Sequence, residues 1–213
     1  MIKVLNVNPS TRDLRAPVCR TCAWWQHTPA SARHSNRERS PGDMEADRKR
    51  REDWEWRLDR RVGMFGKALV DEEAVLGWMQ AAPGPFVPRA GGLPAGPPSA
   101  DAWLITCTYF YDEEYLGGFQ RLLYELLADL KRREVPALEA FALCQTSLDD
   151  RFRGYLRECN LFNHDMLEGS GFRVLRRSGE VGLYRLELAT LIAEPRRVRL
   201  LESLESYTAA QPV

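Results

Sequence analysis

Apolar residues follow two clear periodicities in the second half of the chain. Residues 102–111 are mostly β-branched, aromatic or otherwise apolar, a composition typical of a strand buried on both faces. In residues 116–133 leucine and phenylalanine recur every three or four positions, which predicts a long amphipathic helix that ends before Pro136. Another apolar run, residues 136–144, follows. Strand, helix and strand in this order indicate a parallel βαβ unit, so we expect an α/β fold with a partly parallel sheet.

Weaker patterns extend the sheet and add helices on both sides of this unit. Residues 63–81 predict two short strands around a turn at 71–73. A charged helix is expected over residues 43–61, docked through Met44, Trp54 and Leu58. The remaining predicted elements are a closing antiparallel strand pair at residues 171–177 and 181–188 and helices at residues 148–159, 163–168 and 195–205.

Two segments interrupt these patterns. Residues 28–42 are polar, keep no periodicity and predict a mobile loop, and the prolines and glycines of residues 83–100 exclude regular structure. A loop as long as the second is usually functional or a linker. We therefore expect one domain that consists of an N-terminal elaboration (1–62), a core (63–192) and a C-terminal helix and tail (193–213).

The composition narrows the classes of partner. The 213 residues include 30 basic and 30 acidic side chains, and because these charges cancel, they favour neither a nucleic acid nor an anionic membrane. The first residues lack the long apolar core of a secretory signal, and no run approaches the ~20 apolar residues that span a bilayer. We expect a cytoplasmic protein whose five cysteines are reduced.

The N-terminal segment carries a Cys-x-x-Cys pair, Cys19 and Cys22, followed by His27 and His34. Two thiolates and two imidazoles can complete a tetrahedral zinc site. A reduced structural pair beside neighbouring tryptophans is the alternative, and we favour it because the spacing before the histidines is short. We therefore predict no metal.

Five short motifs follow one another in a characteristic order. They are Cys19-x-x-Cys22-x-x-Trp25, the helix with Trp54 and Trp56, Val87-Pro88-Arg89-Ala90, Glu139-Ala140-Phe141, and an Asn163-x-x-Met166 segment that leads to Gly171-Phe172. This order of elements and motifs resembles the GNAT acyltransferase superfamily, in particular a set of bacterial GNAT-like proteins. The resemblance spans residues 18–188 and implies a GNAT-like mixed α/β fold, acetyl-CoA or another acyl-CoA as cofactor, and a small-molecule or protein amine as substrate. Members of the superfamily can also dimerise.

In that superfamily a loop patterned Arg/Gln-x-x-Gly-x-Gly/Ala, at the start of a helix, holds the CoA pyrophosphate through backbone N–H groups. Here the pattern falls on residues 115–120, where Gly118 matches but Tyr115 and Gln120 depart from it. The alternative is a plain strand-to-helix turn. The resemblance implies that the cofactor contacts the end of the preceding strand and the start of the helix, namely Tyr109, Phe110, Tyr111, Leu116, Gly117, Gly118, Phe119, Gln120 and Arg121.

Acyl transfer to an amine needs a general base and an acid that protonates the leaving thiolate. The resemblance places the acid at position 167, which is leucine here, so Tyr155 on the preceding predicted helix is the candidate acid. Glu139, inside an apolar strand, is the candidate base, with a solvated strand residue as the alternative. Cys107 and Cys144 are interpreted as small buried hydrophobes rather than nucleophiles.

Two functions remain open from the sequence. The first is acyl-CoA-dependent N-acyl transfer, with transfer of an acetyl group as the simplest case. The second is a non-catalytic binding or regulatory protein that keeps a GNAT-like scaffold with a degenerate CoA loop. A nucleic-acid module based on the N-terminal arginines is disfavoured, because acidic residues are interleaved with them.

Overall fold

The computed structural model describes residues 2–28, 41–72, 74–111, 116–144 and 161–189, and one sheet runs through them. Its eight strands lie in the order β1-β2-β3-β4-β5-β8-β7, with β6 paired to β5 outside this path. Strand bounds are β1 Ile2–Val7, β2 Gly66–Asp71, β3 Ala74–Pro83, β4 Ala102–Phe110, β5 Ala137–Leu143, β6 Phe162–Asn163, β7 Arg173–Ser178 and β8 Val181–Glu187.

The sheet is open and mostly antiparallel. Only β4 with β5, and the two-residue β6 with β5, pair in parallel within the described residues. The parallel β4–β5 pair and the intervening helix confirm the βαβ unit predicted from the apolar periodicity. The mixed α/β fold expected from the sequence is therefore confirmed.

Four α-helices lie in the described residues: α1 Pro17–Arg20, α2 Pro41–Val62, α3 Leu116–Arg132 and α4 His164–Gly169. Side chains alternate between the two faces of the sheet, so Ile105 of β4 packs with α3 whereas Leu104 packs with α2. We call the two sides the α3 face and the α2 face. None of the helices in this part of the chain is long and apolar enough to cross a membrane.

The α3 face holds the larger apolar core. It is built from the leucines of α3 packed on the strands: Leu122, Leu123, Leu126, Leu127 and Leu130 against Met79, Ala81, Ile105, Leu138 and Ala140. The α2 face is more aromatic, with Trp54 and Leu58 of α2 packed beside Phe65 and Trp78 of the sheet. The N-terminal segment adds Trp24 and Trp25 to this second cluster.

The predicted hairpin, both long strands, α3, α4 and the closing strand pair are confirmed, but three details differ from the sequence expectations. Strand β1 was not predicted, because its short apolar run gives little signal, yet it pairs antiparallel with β2 along its whole length. Met44 does not dock α2, since it is 53% exposed. The proline-rich segment contains two short 3-10 turns, Gly84–Phe86 and Pro88–Gly92. The helices predicted at 148–159 and 195–205, and most of the loop at 28–42, lie outside the described residues.

Candidate functional site

Strands β4 and β5 separate halfway along their length. Their parallel pairing joins Ala102–Ile105 to Ala137–Ala140 and goes no further. Beyond this point β5 pairs with β6, and β8 occupies the other edge of β5 throughout. Residues 106–110 of β4 therefore have β3 as their only strand partner in the described part of the chain. Their opposite backbone edge faces the opening between the strands.

A β-bulge in β4 lies at the point of separation. Gln80 of β3 pairs with Cys107, whereas Ala81 pairs with Ile105, so Thr106 is the extra residue. A bulge redirects the backbone and side chains of a strand locally. Thr106 is fully buried, and its Oγ1 accepts a hydrogen bond from Nε2 of Gln80 over 2.6 Å. The bulge is thus held from the α2 face.

The start of α3 lies just beyond the end of β4. The first four N–H groups of a helix have no acceptor within the helix and carry the positive end of its dipole. Gly117 is exposed, and a Cβ added there would meet no atom within 4 Å. Gly118 differs, because its Cβ would lie 2.8 Å from Cε1 of Phe110 and 3.0 Å from Cδ2 of Leu69. Gly117 thus leaves the backbone amides of the first turn uncovered, whereas Gly118 lets the helix approach the sheet closely.

The bulky residues of the predicted loop turn away from the open side of Gly117. Phe119 is buried in the α3-face core, with its ring 6.0 Å from that of Phe162. Gln120 donates from Nε2 to Oγ of Ser170, at the end of α4, and Arg121 donates to the carbonyl oxygen of Ile2. These three side chains therefore pack the helix, and the backbone of its first turn is the part that can hold an anion.

The aromatic end of β4 is half-exposed. The rings of Tyr109 and Tyr111 lie 5.1 Å apart, edge to face, and Tyr111 is exposed. Burial and the neighbouring Tyr109 raise the pKa of the Tyr111 hydroxyl. Phe110 points to the other face, where it packs on the α3-face core. The resemblance implies cofactor contacts for these three residues, and that assignment stays a prediction; in the structure they lie at the end of β4, beyond its pairing with β5.

A series of linked, buried polar side chains crosses the α2 face and ends at the bulge. Nη2 of Arg15 forms an ion pair with Oε1 of Glu55 over 2.7 Å, and Nε of Arg51 donates to the same oxygen over 2.8 Å. Nη2 of Arg51 then donates to Oε1 of Gln80, whose Nε2 donates to Thr106. All five side chains are buried, so α2 and the N-terminal segment are coupled to the bulge through an ion pair and hydrogen bonds.

Glu139 is fully buried, on the paired half of β5. Its Oε2 accepts a hydrogen bond from the backbone N–H of Ser99 over 2.9 Å, and its Oε1 accepts one from Nη1 of Arg185 over 3.1 Å. Arg185 also contacts the carboxylates of Asp101 and Glu187. The carboxylate that the sequence suggested as a base therefore anchors the proline-rich segment to β5 and β8.

The expected acid has no counterpart on α4. Leu167, at that position, is fully buried in the α3-face core. Tyr155 lies outside the described residues. Tyr184 of β8 is buried, its hydroxyl 3.5 Å from Sγ of Cys144, and burial together with the contact to Cys144 raises its pKa.

The candidate zinc ligands separate in the structure. Nε2 of His27 lies 2.7 Å from Oδ1 of Asp47, a carboxylate on α2, so this imidazole pairs away from the cysteines. Cys19, Cys22, Cys107 and Cys144 are free thiols. His34 lies outside the described residues. Within the described part of the chain, no group of three or more His, Cys, Asp or Glu side chains is placed to hold a metal ion.

The sequence did not single out Arg15, Arg51, Glu55 or Gln80. Arg51 and Glu55 lie four positions apart on α2, a spacing typical of solvated helical ion pairs, and α2 is charged along its whole length. Trp54 was the available signal, since it marks the inner stripe of the helix and Arg51 lies one turn before it. Gln80 lies on an otherwise apolar strand, where a buried amide needs partners.

Comparisons with known proteins assign no family to this chain. No protein-family model matches the sequence, and no curated protein is significantly similar to it. Similar solved structures include the PaiA N-acetyltransferase of Thermoplasma acidophilum in complex with coenzyme A, at 12% identity over 88% of this chain and 99% of that one with a TM-score of 0.46. The ribosomal-protein-S18-alanine N-acetyltransferase of Escherichia coli is 11% identical over 93% and 100% of the two chains, with a TM-score of 0.43.

An N-acetyltransferase of Staphylococcus aureus Mu50 is 10% identical over 88% of this chain and 99% of that one, with a TM-score of 0.48. Identities and scores of this size say nothing about substrate or about which residues act. The chain is therefore only weakly similar to these solved acetyltransferases, and its function has to be argued from its own site.

Proposed function

We propose that this chain is an acyl-CoA-dependent N-acyltransferase that transfers an acetyl group, or another short acyl group, to an amine. The observation that carries the proposal is the bulge at Thr106, at the point where β4 and β5 separate. Among the described residues it leaves a strand edge without a strand partner, beside the start of a long helix. Such an edge can pair with the amide groups of an extended ligand, much as it would pair with another strand.

The pantetheine arm of CoA carries two amide groups and joins a thioester to a pyrophosphate. In the proposed complex, backbone groups of residues 106–110 hold the arm, and the first-turn amides of α3, next to the exposed Gly117, hold the pyrophosphate. The thioester then lies near the bulge at Thr106. CoA supplies the activated acyl group, and the chain supplies the orientation of that group.

Gly117 gives a direct test, because a side chain there meets no other atom. Gly117→Glu places a negative charge at the proposed pyrophosphate position, whereas the charge of a glutamate at a helix N-terminus favours the helix itself. We expect calorimetric titration with acetyl-CoA to show an affinity about tenfold or more below that of the wild type. Gly117→Gln, of the same size but neutral, should lose much less.

The two variants separate charge from bulk. Thermal unfolding should be unchanged or slightly raised in both, which shows that any loss of affinity is local. Absence of acetyl-CoA binding to the wild-type chain would overturn the proposal. If Gly117→Glu and Gly117→Gln lose acetyl-CoA affinity equally, the placement of the pyrophosphate at α3 is contradicted.

A scaffold that binds the cofactor without catalysis is the second candidate. Two observations favour it: Leu167 removes the acid that the resemblance implies, and both oxygens of Glu139 accept hydrogen bonds within the protein. The distinguishing measurement is release of free CoA thiol from acetyl-CoA in the presence of a panel of primary amines. Binding without amine-dependent release identifies the non-catalytic scaffold.

A further inference from the structure

Buried polar atoms without hydrogen-bond partners gather on one side of the sheet. Such atoms are uncommon in folded proteins, because each one costs free energy. In the described part of the chain they belong to residues of the α2 face or the N-terminal segment that covers it. The atoms are Nε1 of Trp24, Nε1 of Trp25, both side-chain polar atoms of Gln26, Oε2 of Glu55 and Nε1 of Trp78.

The same region holds more positive than negative charge. Arg15 and Arg51 are 1% and 2% exposed, and both share Oε1 of Glu55, a buried carboxylate. Arg12, at the rim, lies 3.7 Å from Oε2 of Glu55 and also pairs with Glu52 over 3.2 Å. Burial and the neighbouring Arg51 lower the pKa of Arg15 to about 10, so it remains charged at neutral pH. One carboxylate thus faces two buried cations.

One of the three nitrogens of the Arg51 guanidinium has no hydrogen-bond acceptor among the described residues. Its Nε and Nη2 donate to Glu55 and Gln80, whereas Nη1 donates no hydrogen bond within the described residues. The ring of Trp54, 4.7 Å from the guanidinium, offers a cation–π contact but no acceptor oxygen. A buried guanidinium is best satisfied by planar acceptors on more than one edge.

Nearby thiols do not supply the missing acceptor. Cys19 and Cys107 lie close enough to Arg51 for its charge to act on them, yet burial raises the pKa of both sulfurs. They therefore stay neutral, and a neutral sulfur is a weak acceptor. The indole N–H of Trp78 acts on Cys19 and that of Trp25 on Cys107, but these weak acceptors leave both N–H groups without a partner at hydrogen-bond geometry.

This donor-rich cluster adjoins the position that the proposed function gives to the thioester. Gln80 links Arg51 directly to Thr106 at the bulge, and Cys107 is the next residue along β4. We propose that Arg51, with the indole N–H groups of Trp25 and Trp78, binds the carboxylate of the acceptor, so that the amine substrate is a small amino acid or a related amine that carries an anionic group. This inference rests on the proposed function, because it names the substrate class for that same site.

The surroundings also limit the size of the ligand. Trp25, Trp54 and Trp78 belong to the same buried cluster, and aromatic rings suit a short apolar stem between the carboxylate and the amine. A cationic ligand without an acidic group is disfavoured, because it would add to an existing excess of positive charge. The cluster thus selects for negative charge at one end of the acceptor.

The experiment uses propionate as a probe and propionamide as its neutral counterpart of similar shape. Proton–nitrogen correlation spectra of the full chain resolve the indole N–H signals, and Trp→Phe variants assign them. We expect saturable shifts of the Trp25 and Trp78 signals with propionate, and binding at least about tenfold weaker with propionamide. Ionic strength is held constant with sodium chloride, so that general salt effects are removed.

Two variants test the assignment of the site. Arg51→Met should weaken propionate binding about tenfold or more, whereas Arg48→Met, which removes an exposed arginine one turn earlier on α2, should leave it unchanged. If Arg51→Met does not fold, Trp25→Phe tests the site instead, since it removes the indole N–H donor but keeps an aromatic ring. The propionate affinity of Trp25→Phe should fall several-fold. Unchanged affinity in the folded variants would overturn the inference, as would absence of shifts in the wild type.

Acetyl-CoA titration of the same samples keeps the two hypotheses apart. Acetyl-CoA binding without a propionate response overturns the carboxylate site and leaves the proposed function standing. A propionate response without acetyl-CoA binding confirms the anion site and overturns acyl transfer as its purpose. If neither acetyl-CoA nor propionate binds, both the proposed function and the carboxylate site are overturned.

Discussion

Gln80 donates a hydrogen bond from Nε2 to Oγ1 of Thr106 over 2.6 Å, and both side chains are fully buried. Thr106 is the extra residue of the β4 bulge. This bond therefore connects the linked polar side chains of the α2 face to the point where β4 separates from β5. The two residues lie 26 positions apart on neighbouring strands. The bond is short and buried. If it is lost, both groups stay out of contact with water.

Thr106→Val removes the hydroxyl and keeps the shape. We expect the free energy of unfolding to fall by about 1–3 kcal/mol, because the Gln80 amide is left buried without an acceptor. Urea denaturation at neutral pH measures the change. Thr106→Ser keeps the hydroxyl and serves as the control, so a serine variant less stable than the valine variant would contradict the role given to the bond.

The two glycines of α3 should respond in opposite ways to alanine. A Cβ at Gly118 would lie 2.8 Å from Phe110 and 3.0 Å from Leu69, so Gly118→Ala should cost about 1–3 kcal/mol through overpacking. Gly117→Ala meets no atom, and a helical alanine replaces a glycine at a gain of up to about 1 kcal/mol. Thermal unfolding of the two variants tests this pair. Equal melting temperatures would show that α3 can shift away from the sheet.

Asp129 predicts a specific dependence of stability on pH. Burial alone would raise the pKa of this carboxyl, but the hydrogen bonds from Lys67 and Arg133 outweigh it and hold the pKa below 3.8. Stability from the carboxylate is therefore present above pH 3.8 and is lost as the pH falls through the lowered pKa. We expect Asp129→Asn to cost about 3 kcal/mol at neutral pH and far less at about pH 2.5.

Urea midpoints at the two pH values measure the effect. Asp53→Asn, which changes an exposed acid on α2, should shift the midpoints little at either pH. A cost of Asp129→Asn that stays the same in acid would show that the ion pair with Lys67 is not the source of the stability.

Glu139→Gln separates a structural role from a catalytic one. The carboxylate holds the N–H of Ser99 and the guanidinium of Arg185, so we expect a loss of about 1–2 kcal/mol and faster proteolysis within residues 93–100. Asp101→Asn, an exposed partner of the same arginine, should cost less than about 1 kcal/mol. Unchanged stability and proteolysis, together with loss of acetyl transfer, would instead identify Glu139 as the base.

The sequence by itself determined the elements with strong local periodicity. The leucines of α3 define a helix because they recur along one face, and the apolar runs at β4 and β5 define buried strands, so the parallel pair and the α/β class followed. The turn between β2 and β3 was visible for the same reason. Strand β1 was not, because a run of only six residues carries too little pattern.

Tertiary structure alone decided the chemistry of the α2 face. Arg15, Arg51 and Glu55 lie in charged stretches that favour solvated side chains, and only the packing of α2 and the N-terminal segment over Trp78 buries them together. The bulge at Thr106 and the opposite roles of Gly117 and Gly118 depend on how neighbouring strands and helices meet. Local patterns record which residues prefer burial, whereas the partner of a buried charge is set by residues distant in the chain.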